Sequence, residues 1–205
     1  MFVAVTPLTV GAIAMVAILR DQPRGYIQRV ALGAFGLILC GTCPGHLGYL
    51  ANDRGYRPIL MLIFLSVELN DVFAFVVGKT IGRRKLIPNT SPKKTIAGAV
   101  GALVLTSALV YAVGYFAFAG TVLANPIHLL VIGALTSITG QFGDLVFSSI
   151  KRDLGIKDMA ATIPGHGGLL DRFDSIILAG PVLFHYINYF VGVGTDRGPN
   201  VFTGG

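Results

Sequence analysis

Charged residues are scarce in this chain of 205 residues. They make up 13% of the sequence, and glutamate occurs once, at Glu68. Hydrophobic residues make up 53%, and the mean hydropathy is +0.72. So few ionisable groups cannot cover the surface of a soluble globule. The composition therefore excludes an ordinary soluble domain and favours a protein embedded in a bilayer.

The chain has two cysteines, Cys40 and Cys43. The C-x-x-C spacing could indicate redox chemistry or half of a metal site. Both residues lie in an apolar run, however, and the chain has no second pair to complete a metal site. We therefore interpret them as small packing residues.

Long apolar runs define the predicted architecture. A membrane helix needs about 20 mostly apolar residues, and six runs come near this length. They are residues 2–19, 30–50, 58–78, 96–119, 127–148 and 175–193. Each run must satisfy its own backbone hydrogen bonds, which favours helices over strands. We expect an all-α, polytopic transmembrane helical bundle with about six membrane helices and two functional cytoplasmic loops.

This bundle is predicted to be a single domain over residues 1–205, because no linker or repeat divides it. No Lys or Arg precedes the first apolar run, so we expect a retained helix there and not a signal peptide. Residues 194–205 combine Gly, Pro, Asp and Asn, a composition typical of a flexible tail.

Positive charge is unevenly distributed between the connections. Thirteen of the sixteen Lys and Arg residues fall in the connections after the first, third and fifth runs. The positive-inside rule places these three connections in the cytoplasm and both termini outside. The net charge of +6 is thus concentrated on the side where nucleotides and lipid headgroups would be met.

Two of these cytoplasmic connections differ from ordinary loops. Residues 82–95 are basic and contain Pro88 and Pro92, while residues 149–174 alternate charges with Gly and Pro over about 26 positions. Loops of this length without secondary structure are uncommon unless they are functional.

Acidic residues within the runs indicate a polar site. Asp71 and Asp144 lie inside predicted spans, near the cytoplasmic end, where an ionisable group usually has a function. Asp171 and Asp174 precede the last span and would share a helix face. Carboxylates from three helices at one level would suit Mg²⁺. The alternative is that each acid pairs with a Lys or Arg or caps a helix. We expect Glu68, one turn deeper than Asp71, to partner a buried polar group.

The second functional loop holds a recognisable series of short motifs. In chain order they are Lys151-Arg152, Lys157-Asp158, His166-Gly167-Gly168 and Asp171-Arg172-Phe173-Asp174. Asn70-Asp71, Ser91-Pro92-Lys93-Lys94-Thr95 and Gly143-Asp144 occur upstream. Together these motifs resemble the signature of the phosphatidate cytidylyltransferase family, the CDP-diacylglycerol synthases, over about residues 60–190.

The resemblance implies a Mg²⁺-dependent nucleotidyltransferase that joins CTP to phosphatidic acid, giving CDP-diacylglycerol and pyrophosphate. A second cation is left open. The implied catalytic residues are Asp144, Asp171, Lys151, Arg152 and His166. The implied substrate-binding residues are Ser91, Lys93, Lys94, Lys157, Asp158, Gly167, Gly168 and Arg172. The implied metal ligands are Asp144, Asp171, Asp71 and Asp174.

The implied partners are CTP, phosphatidic acid and the lipid bilayer, with a homodimer as a further expectation and no role for nucleic acid. The implied location is a bacterial inner membrane, with the active site facing the cytoplasm.

The chain also departs from the family pattern. It has Ile96-Ala97-Gly98 where members commonly have Trp-Glu-Gly, and members tend to be longer at the N-terminus. Three other interpretations stay open, and Ala97 is the main argument for the last of them. One is a CTP-dependent polyprenol or phytol kinase, the second is a transporter or ion pathway built on the intramembrane acids, and the third is a degenerate homologue.

Overall fold

A computed structural model describes residues 2–19, 24–52, 54–156, 159, 168 and 170–191, with the backbone alone for residues 2–5, 172 and 191. Within these ranges the chain is predominantly helical. The helices are α1 (Phe2–Ile18), α2 (Tyr26–Leu37), α3 (Cys43–Asn52), α4 (Arg57–Thr80), α5 (Ile96–Ala117), α6 (Pro126–Asp153) and α7 (Leu170–Val191). A π-helical segment, Ile38–Thr42, joins α2 to α3, and short 3-10 turns occur at Arg54–Tyr56 and Val122–Ala124.

Four described segments are long and apolar enough to cross a membrane. They are Tyr26–Asn52, Arg54–Thr80, Ile96–Ala117 and Pro126–Asp153. This confirms the predicted membrane bundle, although not the count of six spans. The remaining predicted spans, 2–19 and 175–193, coincide largely with α1 and α7, and their crossing of the membrane stays a prediction. The predicted tail, 194–205, lies outside the described residues.

Local sequence signals explain where α5 and α6 begin. The Asn125 side-chain oxygen accepts a hydrogen bond from the Ile127 amide at 2.9 Å, and Pro126 occupies the first turn of α6. The Thr95 hydroxyl accepts a hydrogen bond from the Gly98 amide at 3.1 Å. These side chains satisfy backbone donors that have no partner within the helix.

The buried core lies in two parts. The larger part joins α3, α4, α6 and α7 through fully buried residues such as Leu50, Ile63, Ile132 and Leu183. The smaller part is formed by Leu39, Cys43, Phe147 and Ile177. Cys43 is therefore a packing residue as predicted, while Cys40 is exposed and both thiols are free.

The basic connection over residues 82–95 is folded and is not an irregular loop. Strands β1 (Lys85–Ile87) and β2 (Ser91–Thr95) form an antiparallel hairpin in which Lys85 is opposite Thr95. This hairpin is an addition to the all-α class that we predicted from the apolar runs. It gives Lys93 and Lys94 fixed places on one strand.

The second functional loop is shorter than predicted because helices enter it from both sides. Helix α6 continues to Asp153 and α7 begins at Leu170. The acidic and basic side chains at the two ends of this connection therefore lie on helices. The rigid backbone of those helices fixes their positions.

A close seam between α4 and α5 anchors the hairpin. A β-carbon on Gly98 would lie 2.5 Å from the Ala74 carbonyl oxygen, and one on Gly82 would lie 2.4 Å from the Thr95 hydroxyl oxygen. A larger residue at either position would force these neighbouring atoms to move. The seam thus sets the hairpin, and Lys94 with it, against the end of α4.

We expect Gly98→Ala to lower the free energy of unfolding by about 1–3 kcal/mol, because the added methyl group must push α4 from α5. Gly48→Ala is the matched control, since nothing lies within 4 Å of its added β-carbon. It should leave stability unchanged or raise it by up to about 1 kcal/mol. Thermal unfolding in the same detergent compares the two, and equal midpoints would contradict the seam.

Candidate active site

Asp144 and Lys94 form an ion pair that links α6 to the hairpin. Asp144 also accepts a hydrogen bond from the Ser148 hydroxyl, one turn later on α6, at 3.3 Å. Asp71 on α4 and Asp144 each lie nine residues before the C-terminal residue of their helix. The two carboxylates are thus equally far along the chain from the ends of their helices, and their common depth in the membrane stays a prediction.

Asp171 organises the start of α7. Its Oδ1 accepts a hydrogen bond from Lys151 Nζ at 3.0 Å, and its Oδ2 accepts hydrogen bonds from the backbone amides of Met159 at 2.9 Å and Gly168 at 3.2 Å. Burial would raise the pKa of Asp171, but these three donors stabilise the carboxylate and hold the pKa below its usual range. Both oxygens are thus engaged by protein donors, and the role of Asp171 as a metal ligand stays a prediction.

Ser175 connects two further acids. Its hydroxyl lies 3.3 Å from Asp71 Oδ2 and 3.3 Å from Asp174 Oδ1, and its backbone amide donates to Asp174 Oδ1 at 2.7 Å. The single hydroxyl proton can be donated to one carboxylate at a time. Ser175 therefore joins α4 to the start of α7 without removing the repulsion between the acids.

The ionised form of Asp174 is energetically unfavourable in this environment. Asp174 precedes the predicted span at 175–193 and is 9% exposed. Burial, followed by the negative charge of Asp144, raises the pKa of Asp174 to about 6. Lys151 Nζ lies 3.9 Å from Asp174 Oδ2 and offsets part of this effect.

The negative charges of Asp144 and Asp71 both act on Asp174, and we call these three residues the acid cluster. Lys94 and Lys151 lie beside it. The sequence left open that each acid pairs with a Lys or Arg. In this structure Asp144 and Asp171 do form such pairs, with Lys94 and Lys151. Among the described residues, no three His, Cys, Asp or Glu side chains lie close enough to hold a metal ion unaided.

The remaining predicted residues are placed as follows. On the hairpin, Ser91 is half-buried and Lys93 is exposed, and Arg152 is exposed in the last turn of α6. Lys157, Asp158, His166 and Gly167 lie outside the described residues, as does the side chain of Arg172.

Glu68 differs from expectation. It is exposed on α4, and no hydrogen bond to it is seen in the described part of the chain. The buried polar group at this level is Asn70, whose side-chain oxygen accepts hydrogen bonds from Thr106 at 3.1 Å and Ser137 at 2.6 Å. Asn70 therefore fastens α4 to α5 and α6 directly beside Asp71.

Two roles within the site were not predicted from sequence, those of Ser175 and Gly143. Ser175 directly follows Asp174, but its contact with Asp71 spans 104 residues. Gly143 permits close approach of α6 and α7, since a β-carbon there would lie 2.4 Å from the Asp174 carbonyl oxygen. Its position next to Asp144 was the one available signal.

Ala97, where the resembled family commonly has an acid, lines an apolar groove with Val77 and Ile81. The acid cluster defined above does not include this position.

Several known proteins have sequences similar to this chain. The model of the cytidylyltransferase family matches residues 1–190, so the similarity starts nearer the N-terminus than residue 60. A phosphatidate cytidylyltransferase of Rickettsia bellii is 37% identical over 180 residues, which are 86% of this chain and 76% of the relative. One from Bacillus subtilis is 43% identical over 120 residues, which are 58% of this chain and 44% of the relative.

A third relative is YnbB of Escherichia coli K12, an uncharacterised protein that is 35% identical over 177 residues. These residues are 84% of this chain and 58% of YnbB, so the chain spans little more than half of that relative's length. Because the family model matches most of the sequence, the chain belongs to the cytidylyltransferase family.

Proposed function

We propose that this protein transfers the cytidylyl group of CTP to phosphatidic acid, giving CDP-diacylglycerol and pyrophosphate. The observation that supports this most is the set of ion pairs between lysines and carboxylates at one end of the bundle. Lys94 of β2 pairs with Asp144 of α6, and Lys151 of α6 lies beside Asp171 and Asp174 of α7. The names of the Rickettsia and Bacillus relatives favour cytidylyl transfer over the kinase and transporter alternatives.

The reaction requires little proton transfer. A phosphate oxygen of the lipid attacks the α-phosphorus of CTP, and the bond from that phosphorus to the bridging α–β oxygen breaks. Pyrophosphate leaves with the electron pair of the broken bond. The lipid phosphate is already anionic at neutral pH, so the main barrier is charge repulsion between two polyanions. The site must therefore supply positive charge.

Lys94 and Lys151 can supply part of that charge. In this structure they neutralise Asp144 and Asp171. Since an ammonium group can rotate towards a phosphate, each lysine can exchange its carboxylate for a substrate oxygen. Arg152, Lys93 and Ser91 lie on the same two elements and are proposed to bind the remaining phosphate oxygens.

The acid cluster fits a divalent cation by the chemistry of its donors. Mg²⁺ binds one or two carboxylates and completes its octahedron with water and substrate phosphates, so a cage of three protein ligands is not required. We propose Asp144 with Asp71 or Asp174 as the ligands, with Asp171 nearby, and leave room for a second cation. When bound, the cation would neutralise the triphosphate and the leaving group.

The sidedness follows from charge. The positive charge of the basic connections supports a site at the cytoplasmic face, and the bacterial relatives support a location in an inner membrane. Phosphatidic acid would reach it from the bilayer and CTP from the cytoplasm. A homodimer remains part of the proposal.

The first test supplies membranes with labelled CTP, Mg²⁺ and phosphatidic acid. Asp144→Asn and Asp171→Asn should each lower the formation of CDP-lipid by about a hundredfold, since each removes a charge from the centre. Asp153→Asn is the matched control, because Asp153 is exposed at the end of α6. Release of CDP with no nucleotide on the lipid would instead indicate a kinase, and parental rates in both variants would refute the site.

Gly143→Ala should lower the rate by about a hundredfold, because a shift near 1 Å between α6 and α7 displaces Asp174 from Asp144. Gly140→Ala is the control one turn earlier, where the nearest atom to an added β-carbon lies at an ordinary 3.7 Å. Rates are measured on proteins of equal helical content by circular dichroism. Equal rates for the two variants would show that the close packing of α6 on α7 at Gly143 is not needed for activity.

The rate should also fall as the pH decreases through about 6, because Asp174 then gains a proton and cannot bind a cation. The proton and the cation compete, so saturating Mg²⁺ should move this midpoint to lower pH. A pH profile at low and high Mg²⁺ measures the shift. A midpoint at the same pH in low and high Mg²⁺ would rule out Asp174 as part of the cation site.

A further inference from the structure

The apolar groove lined by Ala97 lies away from the acid cluster. It is a groove of about 470 Å³ on the outer surface between α4 and α5. Its lining includes Val77, Ile81, Ala97, Val100, Val104 and Leu105. From Ala97 to Leu105 the groove follows α5 for about 12 Å, starting at the cytoplasmic end. In a bilayer such a groove faces hydrocarbon chains.

The groove is separated from the proposed reaction centre. Val77 is six residues after Asp71, which places it about 120° around α4. Between these two faces lies the seam where Gly98 packs on Ala74 and Gly78. A lipid in the groove therefore lies on the other side of this seam from Asp71, and we infer that it is distinct from the lipid that reacts.

Three cations lie at the mouth of the groove. Arg83, Arg84 and Lys85 follow Ile81 after one intervening residue, Gly82, and all three are exposed. The Ile96 amide donates to the Arg84 carbonyl oxygen at 3.0 Å, which fixes Arg84 beside the start of α5. Within the described residues none of the three forms an ion pair. An apolar groove with unpaired cations at the interface is complementary to an anionic lipid.

We propose that this groove binds an acyl chain of an anionic bilayer phospholipid, whose phosphate is held by Arg84 and Lys85. Lys85 is opposite Thr95 in the hairpin, and Lys94 is the next residue along β2. The bound lipid therefore stabilises the hairpin from the side opposite the acid cluster. Its role is separate from the proposed transfer reaction.

The chain contains no tryptophan, so a single introduced one reports without background. Val104→Trp places it in the groove, and Phe116→Trp places it on the same helix at a position that is 79% exposed. Each full-length variant is reconstituted with phospholipids brominated on the acyl chain, either phosphatidylglycerol or phosphatidylcholine. The ratio of quenching by the two lipids is compared for the same residue, which cancels differences in depth.

For the tryptophan of Val104→Trp, we compare the mole fraction of each lipid that quenches half of the fluorescence. This mole fraction should be on the order of tenfold lower for phosphatidylglycerol than for phosphatidylcholine, because two interfacial cations attract the anionic headgroup. At Phe116→Trp the two lipids should be equivalent. Adding Arg84→Gln and Lys85→Gln to Val104→Trp should abolish the preference.

Equal quenching by both lipids at Val104→Trp would overturn the proposal, and so would a preference that survives loss of both cations. Quenching by neither lipid would indicate that another copy of the chain covers the groove, which equally refutes a lipid site. None of these readouts needs CTP, so they are independent of the transfer assay.

Discussion

Carboxylates placed at one level of a membrane bundle repel one another, and this repulsion must be offset before the helices can pack. Lys94 provides the offset for Asp144, and Lys151 provides it for Asp171 and, at longer range, Asp174. Each lysine reaches across from another element, so the ion pairs also connect the hairpin and α6 to their neighbours. Removing one charge from such a partly buried pair leaves the other uncompensated. The architecture and the proposed chemistry therefore depend on the same contacts.

These ion pairs also suggest how a substrate could be accommodated. A triphosphate with its cation brings both signs of charge into a site that already holds both. The lysines can then exchange carboxylates for phosphates, while the acids exchange lysines for the cation. The glycines at 98 and 143 keep the elements close enough for this exchange, because larger residues would separate α4 from α5 and α6 from α7.

Much of the site could be predicted from sequence, because its signals are local. Acids within apolar runs identified Asp71 and Asp144, and short motifs identified Lys94, Lys151 and Asp171. What could not be predicted depends on distant parts of the chain. The hairpin is too short to show strand periodicity, the contact of Ser175 with Asp71 is long-range, and exposure of Glu68 is set by packing. The run lengths likewise predicted six spans, and four described segments are long and apolar enough to cross a membrane.

The most direct test of this account is whether Lys94 faces Asp144 in the membrane. In a protein with Cys40→Ser and Cys43→Ala, Lys94→Cys with Asp144→Cys is treated with a short thiol cross-linker, beside Lys93→Cys with Asp144→Cys. The first pair should cross-link rapidly and the second slowly, because neighbouring residues of a strand point to opposite sides. Equal rates for the two pairs would contradict the placement of the hairpin and, with it, the proposed site.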